Sequence, residues 1–180
     1  MSKNHTNTTK HIVLVGTGGA GKSSLGAVLA QYLGFNFIDS DEVIIDREQC
    51  SVADIFAQKG ELYFRDLERQ AFKDLIDDEA PHIIGSGGGA FMNDETRTLI
   101  KDNAVSIFLK ADIEVLLQRI GSGEGRPLYD GKDTRAVLEE MIKSRYPIYA
   151  EADLIVDTYD EPLEKTLVRV TEALYTHLKP

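Results

Sequence analysis

The octapeptide GTGGAGKS, Gly16 to Ser23, combines a run of glycines with one ammonium and one hydroxyl group. Glycines permit a tight turn whose backbone N–H groups converge on an anion, and a helix start adds partial positive charge. In the spacing G-x-x-x-x-G-K-[ST], Gly18, Gly19, Ala20 and Gly21 would wrap phosphate oxygens and Lys22 would reach the outer phosphates. The Ser23 hydroxyl would coordinate magnesium. A glycine-rich turn with a solvated lysine is the plain alternative, but the full match lies between an apolar strand and a helical segment, as nucleotide binding requires. The motif does not say what receives the phosphate.

Asp39 and Asp41 follow the apolar segment FNFI with one serine between them. They could be metal ligands, a grip on a substrate, or helix caps. Asp39 with Glu42 three residues on resembles a capping box, and Ser40 or Asp41 could cap equally well. The run GSGGGAF, residues 85 to 91, follows the apolar HII. Successive glycines at the carboxyl end of a strand let the backbone approach a ligand closely, though a flexible turn reads the same way. Arg145 falls on an apolar stripe with Val137, Met141 and Ile148, where a guanidinium needs an anionic partner. Pro147 is expected to kink or end that helix. Arg65 lies beside the stripe Phe64, Leu67, Ala71 and Leu75, and an exposed pair with Glu61 at i, i+4 is its simplest reading. Arg126 reads equally as a solvated loop residue.

Short apolar runs alternate with segments of helical period. HIVLVG precedes Lys22 to Leu33, FNFID precedes Ser51 to Asp77, and HIIGS precedes Asp94 to Lys101. AVSIFLK precedes Asp112 to Ile120 and Thr134 to Tyr149, and LIVDT precedes Pro162 to Leu178. The order predicts an α/β fold: a five-stranded parallel sheet flanked by helices, three layers in all, forming one domain over residues 11–180 after a disordered polar tail, 1–10. Groups that follow the strands should then share one rim of the sheet. The loop GSGEGRPLYDGKD, residues 121 to 133, is long for a compact domain and reads as a lid or binding loop, or as a disordered connection.

The formal charge of −10 over 180 residues argues against general attraction to nucleic acid or an anionic membrane. Cys50 has no second cysteine to pair with, which suits a reducing cytosol. The opening MSKNHTNTTK lacks the apolar core of a signal peptide, and no apolar run is long enough for a membrane span.

Six segments occur in a telling order: GTGGAGKSS, DSD, GELYFRDLE, GSGGGA, RPL and RYPIYAEAD. Together they resemble the shikimate kinase family, a nucleoside monophosphate kinase-like branch of P-loop proteins, with the likeness running from about His11 to Thr158. The resemblance implies a P-loop kinase fold with a mobile lid at about 121–133. It implies ATP-dependent phosphorylation of the shikimate 3-hydroxyl, with Mg2+, giving shikimate 3-phosphate and ADP in chorismate and aromatic amino acid biosynthesis. Asp41 would grip the shikimate hydroxyls and orient or deprotonate the attacking oxygen, while Asp39 would lie nearer the magnesium, with Ser23. Arg65 and Arg145 would bind the substrate carboxylate, and Gly88 would offer a backbone contact. Arg126 would close over the nucleotide phosphates, Arg119 would pack on adenine, and Glu61 would help hold the arginines.

Ser23 replaces a threonine often found at its place, and YDEP after VDT supplies no basic contact on the adenine side. The resemblance implies a cytoplasmic monomer whose partners are shikimate and ATP, with no nucleic acid or membrane. A related small-molecule kinase such as a gluconate kinase is the nearest rival, because the P-loop and lid do not choose the acceptor. A nucleotide-binding regulator without catalysis is the other, and Lys22, Asp41 and Arg126 speak against it.

Overall fold

The computed structural model describes residues 10–121, 128–129 and 131–179. Arg126 and most of the expected lid lie outside these residues.

Five parallel strands form one sheet: β1 (His11–Val15), β2 (Asn36–Asp39), β3 (His82–Gly85), β4 (Ala104–Ala111) and β5 (Leu154–Thr158). Their spatial order is β2-β3-β1-β4-β5, which puts β1 at the centre. All five residues of β1 are buried, as its unbroken apolar run requires. Its side chains still alternate between faces. Ile12 and Leu14 join Leu25 and Leu29 of α1 (Lys22–Leu33) and Val170 and Leu174 of α7 (Leu163–His177). Val13 and Val15 turn the other way, toward Phe72 of α3 (Val52–Ile76), Ile100 of α4 (Asp94–Asn103) and Tyr149 of α6 (Thr134–Tyr149). Helix α5 (Ile113–Ile120) packs on the first face through Leu116. The predicted three layers are therefore present, and each fully buried Leu, Ile or Phe side chain contributes roughly 1.5–3 kcal/mol.

Three local features differ from the sequence reading. A further helix, α2 (Ser40–Glu48), follows β2 directly. Asp39 is its N-cap, and its side chain accepts from the Asp41 N–H at 3.0 Å rather than forming a box with Glu42. The long segment after Ser51 is two helices merged across a kink, because Gly60 takes φ 80° and ψ 173°. Ser51 and Asp54 cap its start reciprocally. Helix α6 runs through Pro147 to Tyr149, the end read from the sequence, but its buried line is a different one. The buried line of α6 is Leu138, Met141 and Tyr149, with Val137 and Ile148 only half-buried. Arg145 lies between Met141 and Tyr149 at the four-residue spacing that keeps one helical face.

Packing between α1 and the sheet depends on a missing side chain. A Cβ at Gly26 would come within 2.2 Å of the Phe37 ring, and one at Gly85 within 3.1 Å of the same ring. The ring is thus wedged between helix and strand. Gly26→Ala should lower stability by roughly 1–2 kcal/mol in urea unfolding, because overpacking outweighs the better helix propensity of alanine. A stabilised variant would contradict the wedge.

Candidate functional site

Register assembles the site. Leu14 is paired with Gly85 and Gly85 with Asp39, so the ends of β1, β3 and β2 stand side by side. The loop after β1, the glycine run after β3 and the acids after β2 therefore open onto one rim, as expected. A cavity of about 670 Å³ lies there, lined at one end by Asp41 and Gly88 and at the other by Arg119, Thr158 and Glu161, with the phosphate loop between.

The loop turns into α1 through Gly21, whose φ of 95° at the N-cap position suits a residue without a Cβ. Lys22 folds back over its own loop and donates to the Gly16 and Thr17 carbonyls at 2.8 and 2.9 Å. Burial of the ammonium brings its pKa down to about 8, against the pull of Asp39 and Asp41. The Ser23 hydroxyl donates to Asp39 Oδ2 at 3.1 Å. A hydroxyl and a carboxylate thus already meet where the loop becomes helix. Both are hard oxygen donors of the kind magnesium accepts alongside phosphate and water, so the pair fits that ion.

Asp41 is held differently from Asp39. Its Oδ1 is buried and has no hydrogen-bond partner among the described residues, which leaves an acceptor open to whatever enters. Burial, then the charge of Asp39, pushes its carboxyl above the usual range, while Lys22 and Arg65 pull the other way. Gly87 makes this arrangement possible: a Cβ there would sit 2.6 Å from Asp41 Oδ1 and 2.9 Å from Glu68 Oε1. The Gly87 N–H donates to Ser40 Oγ at 3.1 Å, which ties the glycine run to the start of α2.

Arg65 makes the expected contact with Glu61, at 3.1 Å, and a second, deeper one with Glu68 Oε2 at 2.5 Å. Glu68 is only 3% exposed, and burial raises its carboxyl despite the bond from Arg65. No role for Glu68 emerged from the sequence. Its signal was position, four residues after Phe64 and three before Ala71 on the buried stripe. Arg145 reaches the same glycine run from α6 and donates to the Gly88 carbonyl at 3.0 Å. It has no ion pair among the described residues, unlike Arg65.

Arg119 donates to the Gly19 and Ala20 carbonyls at 3.3 and 3.2 Å and to the Tyr159 carbonyl at 2.6 Å. It therefore braces the phosphate loop against the segment after β5. Lys22, Ser23, Asp39, Asp41, Arg65, Gly88, Arg119 and Arg145 are all brought to this rim. Arg126 lies outside the described residues.

The chain matches the family model described as shikimate kinase over residues 18–175. It is 50% identical over 153 residues to a shikimate kinase of Caulobacter vibrioides (strain NA1000 / CB15N), covering 85% of this chain and 76% of that one. Among solved structures it is similar to a shikimate kinase from Acinetobacter baumannii in complex with shikimate. That likeness has a TM-score of 0.89 at 28% identity, over 97% of this chain and 98% of the other. A gluconokinase from Sinorhizobium meliloti 1021 matches at a TM-score of 0.55 and 20% identity, over 93% of this chain and 97% of the other, a likeness of fold alone.

In the free protein the Lys22 ε-carbon resonance should titrate with a midpoint near 8, and added ATP should raise that midpoint because phosphate favours the ammonium. Between that value and the ordinary 10.5 the unfolded chain binds more protons, so this lysine makes stability rise with pH across the window. A midpoint at the ordinary lysine value would remove the case for a buried ammonium.

Proposed function

The chain belongs to the shikimate kinase family, and from that premise we propose that it transfers the γ-phosphoryl group of ATP to the 3-hydroxyl of shikimate. The products are shikimate 3-phosphate and ADP, on the route to chorismate and the aromatic amino acids. The observation that carries the choice of an acid acceptor is the convergence of Arg65 and Arg145 on the glycine run beside Asp41, and the family narrows that acid to shikimate. Arg145 in particular holds a forked cation on a carbonyl with no carboxylate paired to it among the described residues, which suits an acid substrate. A neutral acceptor gives no reason for two guanidinium groups beside the glycine run.

The residues divide the work by position. The backbone of Gly18 to Gly21 wraps the phosphates, and Lys22 leaves its loop carbonyls to neutralise charge on the transferring group. Asp41 accepts from the attacking hydroxyl through its unpartnered Oδ1 and holds it in line. Its raised pKa reflects the cost of keeping a bare carboxylate there, which a hydroxyl donor relieves. Arg65 and Arg145 take the substrate carboxylate, with Gly88 as a backbone contact. Glu61 and Glu68 hold Arg65 in place.

Ser23 and Asp39 would hold Mg2+, which supplies charge neutralisation on the phosphate oxygens when it arrives with the nucleotide. Arg119 stands at the cavity end where adenine would lie. The family resemblance gives Arg126 the part of lid arginine over the phosphates, with closure excluding water. We read the protein as a single-domain, cytoplasmic monomer with neither nucleic acid nor membrane as a partner, in keeping with its charge of −10 and its lone cysteine.

Purified protein with magnesium and ATP should release ADP when shikimate is added, and not with gluconate or without an acceptor. Loss of the shikimate dependence would sink the proposal. Arg145→Lys should raise the KM for shikimate by roughly tenfold or more while leaving that for ATP within about twofold, since a point charge replaces a planar fork. An equal loss in both would contradict the role given to Arg145.

A further inference from the structure

Three successive glycines, Gly87 to Gly89, carry no side chains by which the fold could grip them, so hydrogen bonds must set the direction of each peptide unit. The Gly87 N–H is fixed by Ser40 Oγ, and the Gly87 carbonyl accepts from the Ala90 N–H at 3.2 Å. The next unit is fixed by two donors on one oxygen: the Gly88 carbonyl accepts from Arg145 at 3.0 Å and from the Tyr149 hydroxyl at 2.5 Å. Because the peptide is planar and trans, the Gly89 N–H then points the opposite way from Tyr149.

Of those two donors, only Tyr149 is rigid. Its ring is 1% exposed and packs against Phe108 and Tyr146 at centroid distances of 5.3 and 6.3 Å. Phe108 lies on β4, so the phenol is fastened to the sheet itself. Arg145 is a long, partly buried side chain whose hydrogen bond ends on the same carbonyl. It lies close enough to the Tyr149 hydroxyl for its charge to favour loss of the phenolic proton, while burial opposes that loss and keeps the hydroxyl a donor. A Cβ at Gly88 would stand 3.2 Å from the Arg145 guanidinium and 3.7 Å from the phenol oxygen, so the three groups are in mutual contact.

We propose that the Tyr149 hydroxyl is a positioning residue for the acceptor's carboxylate, acting through the Gly88 carbonyl to hold Arg145 and the Gly88–Gly89 peptide in their binding arrangement. It touches no substrate itself. Its effect passes to the cation beside it, and the ordering cost is met before the ligand arrives. The inference rests on the kinase reading given above.

Tyr149→Phe removes one oxygen and keeps the ring. The KM for shikimate should rise roughly three- to tenfold, the loss expected for one hydrogen bond, with kcat, the KM for ATP and the melting midpoint little changed. In an Arg145→Lys background the same substitution should add less than about twofold, because the group it positions is gone. Equal increases in both KM values, a lower kcat together with a lower melting midpoint, or full additivity with Arg145→Lys would each overturn the positioning role. An unmodified protein that shows no shikimate-dependent ADP release would overturn the kinase reading and this inference together. An active one with an unchanged shikimate KM in Tyr149→Phe would overturn the inference alone.

Discussion

The Lys22 ammonium is held by two carbonyls of its own loop, with burial lowering its pKa to about 8 and two carboxylates nearby pulling it back up. A cation in that state is hydrogen-bonded but left short of compensating charge, and most of the site follows from this balance. Asp39 is engaged by Ser23 and by its cap bond to Asp41, so its charge is spread over short local contacts. Asp41 keeps a buried oxygen bare. The cluster is a set of charges arranged for a polyanion and a hydroxyl that are not part of the chain, and its strain is of the kind a ligand relieves.

Space for these charges comes from residues that lack side chains. Asp41 and Glu68 approach Gly87, Arg145 approaches Gly88, and Arg65 comes so near Gly89 that a Cβ there would meet its guanidinium at 2.0 Å. The arginines come from separate helices, α3 and α6, on the same side of the sheet. At the glycine run both converge with Asp41, which stands at the start of α2. The run's own position is settled by Ser40 on one side and Tyr149 on the other.

Helix α3 shows how stability and placement are reconciled. Phe64, Ala71 and Phe72 bury its apolar side, and Glu68 takes a place on that face which an aliphatic residue would fill more cheaply. A carboxylate so enclosed is tolerable because Arg65 bonds it directly. The same bond keeps Arg65 from swinging out with Glu61 alone, so the cost of burying the pair is offset by a guanidinium in fixed position.

The amino-acid order alone carried the alternation of strands and helices, the phosphate loop and the rim on which the functional groups gather. These are local or periodic properties: glycine turns, a lysine at a set spacing, apolar runs bounded by helical stripes. The identities of Asp39 and Asp41 were visible too, and the family resemblance divided their roles, but the contacts that hold each apart were not visible. The capping bond and the bare oxygen depend on how α2 leaves β2 and on which residue of β3 stands opposite. The buried Glu68 and the clamp of Tyr149 on Gly88 likewise belong to the tertiary structure. Each joins residues far apart in sequence or sets a side chain's depth, and hydrophobic period fixes only which face of a helix is buried. What that face meets is decided by packing, where the desolvation of a charge and the partner that compensates it are settled together.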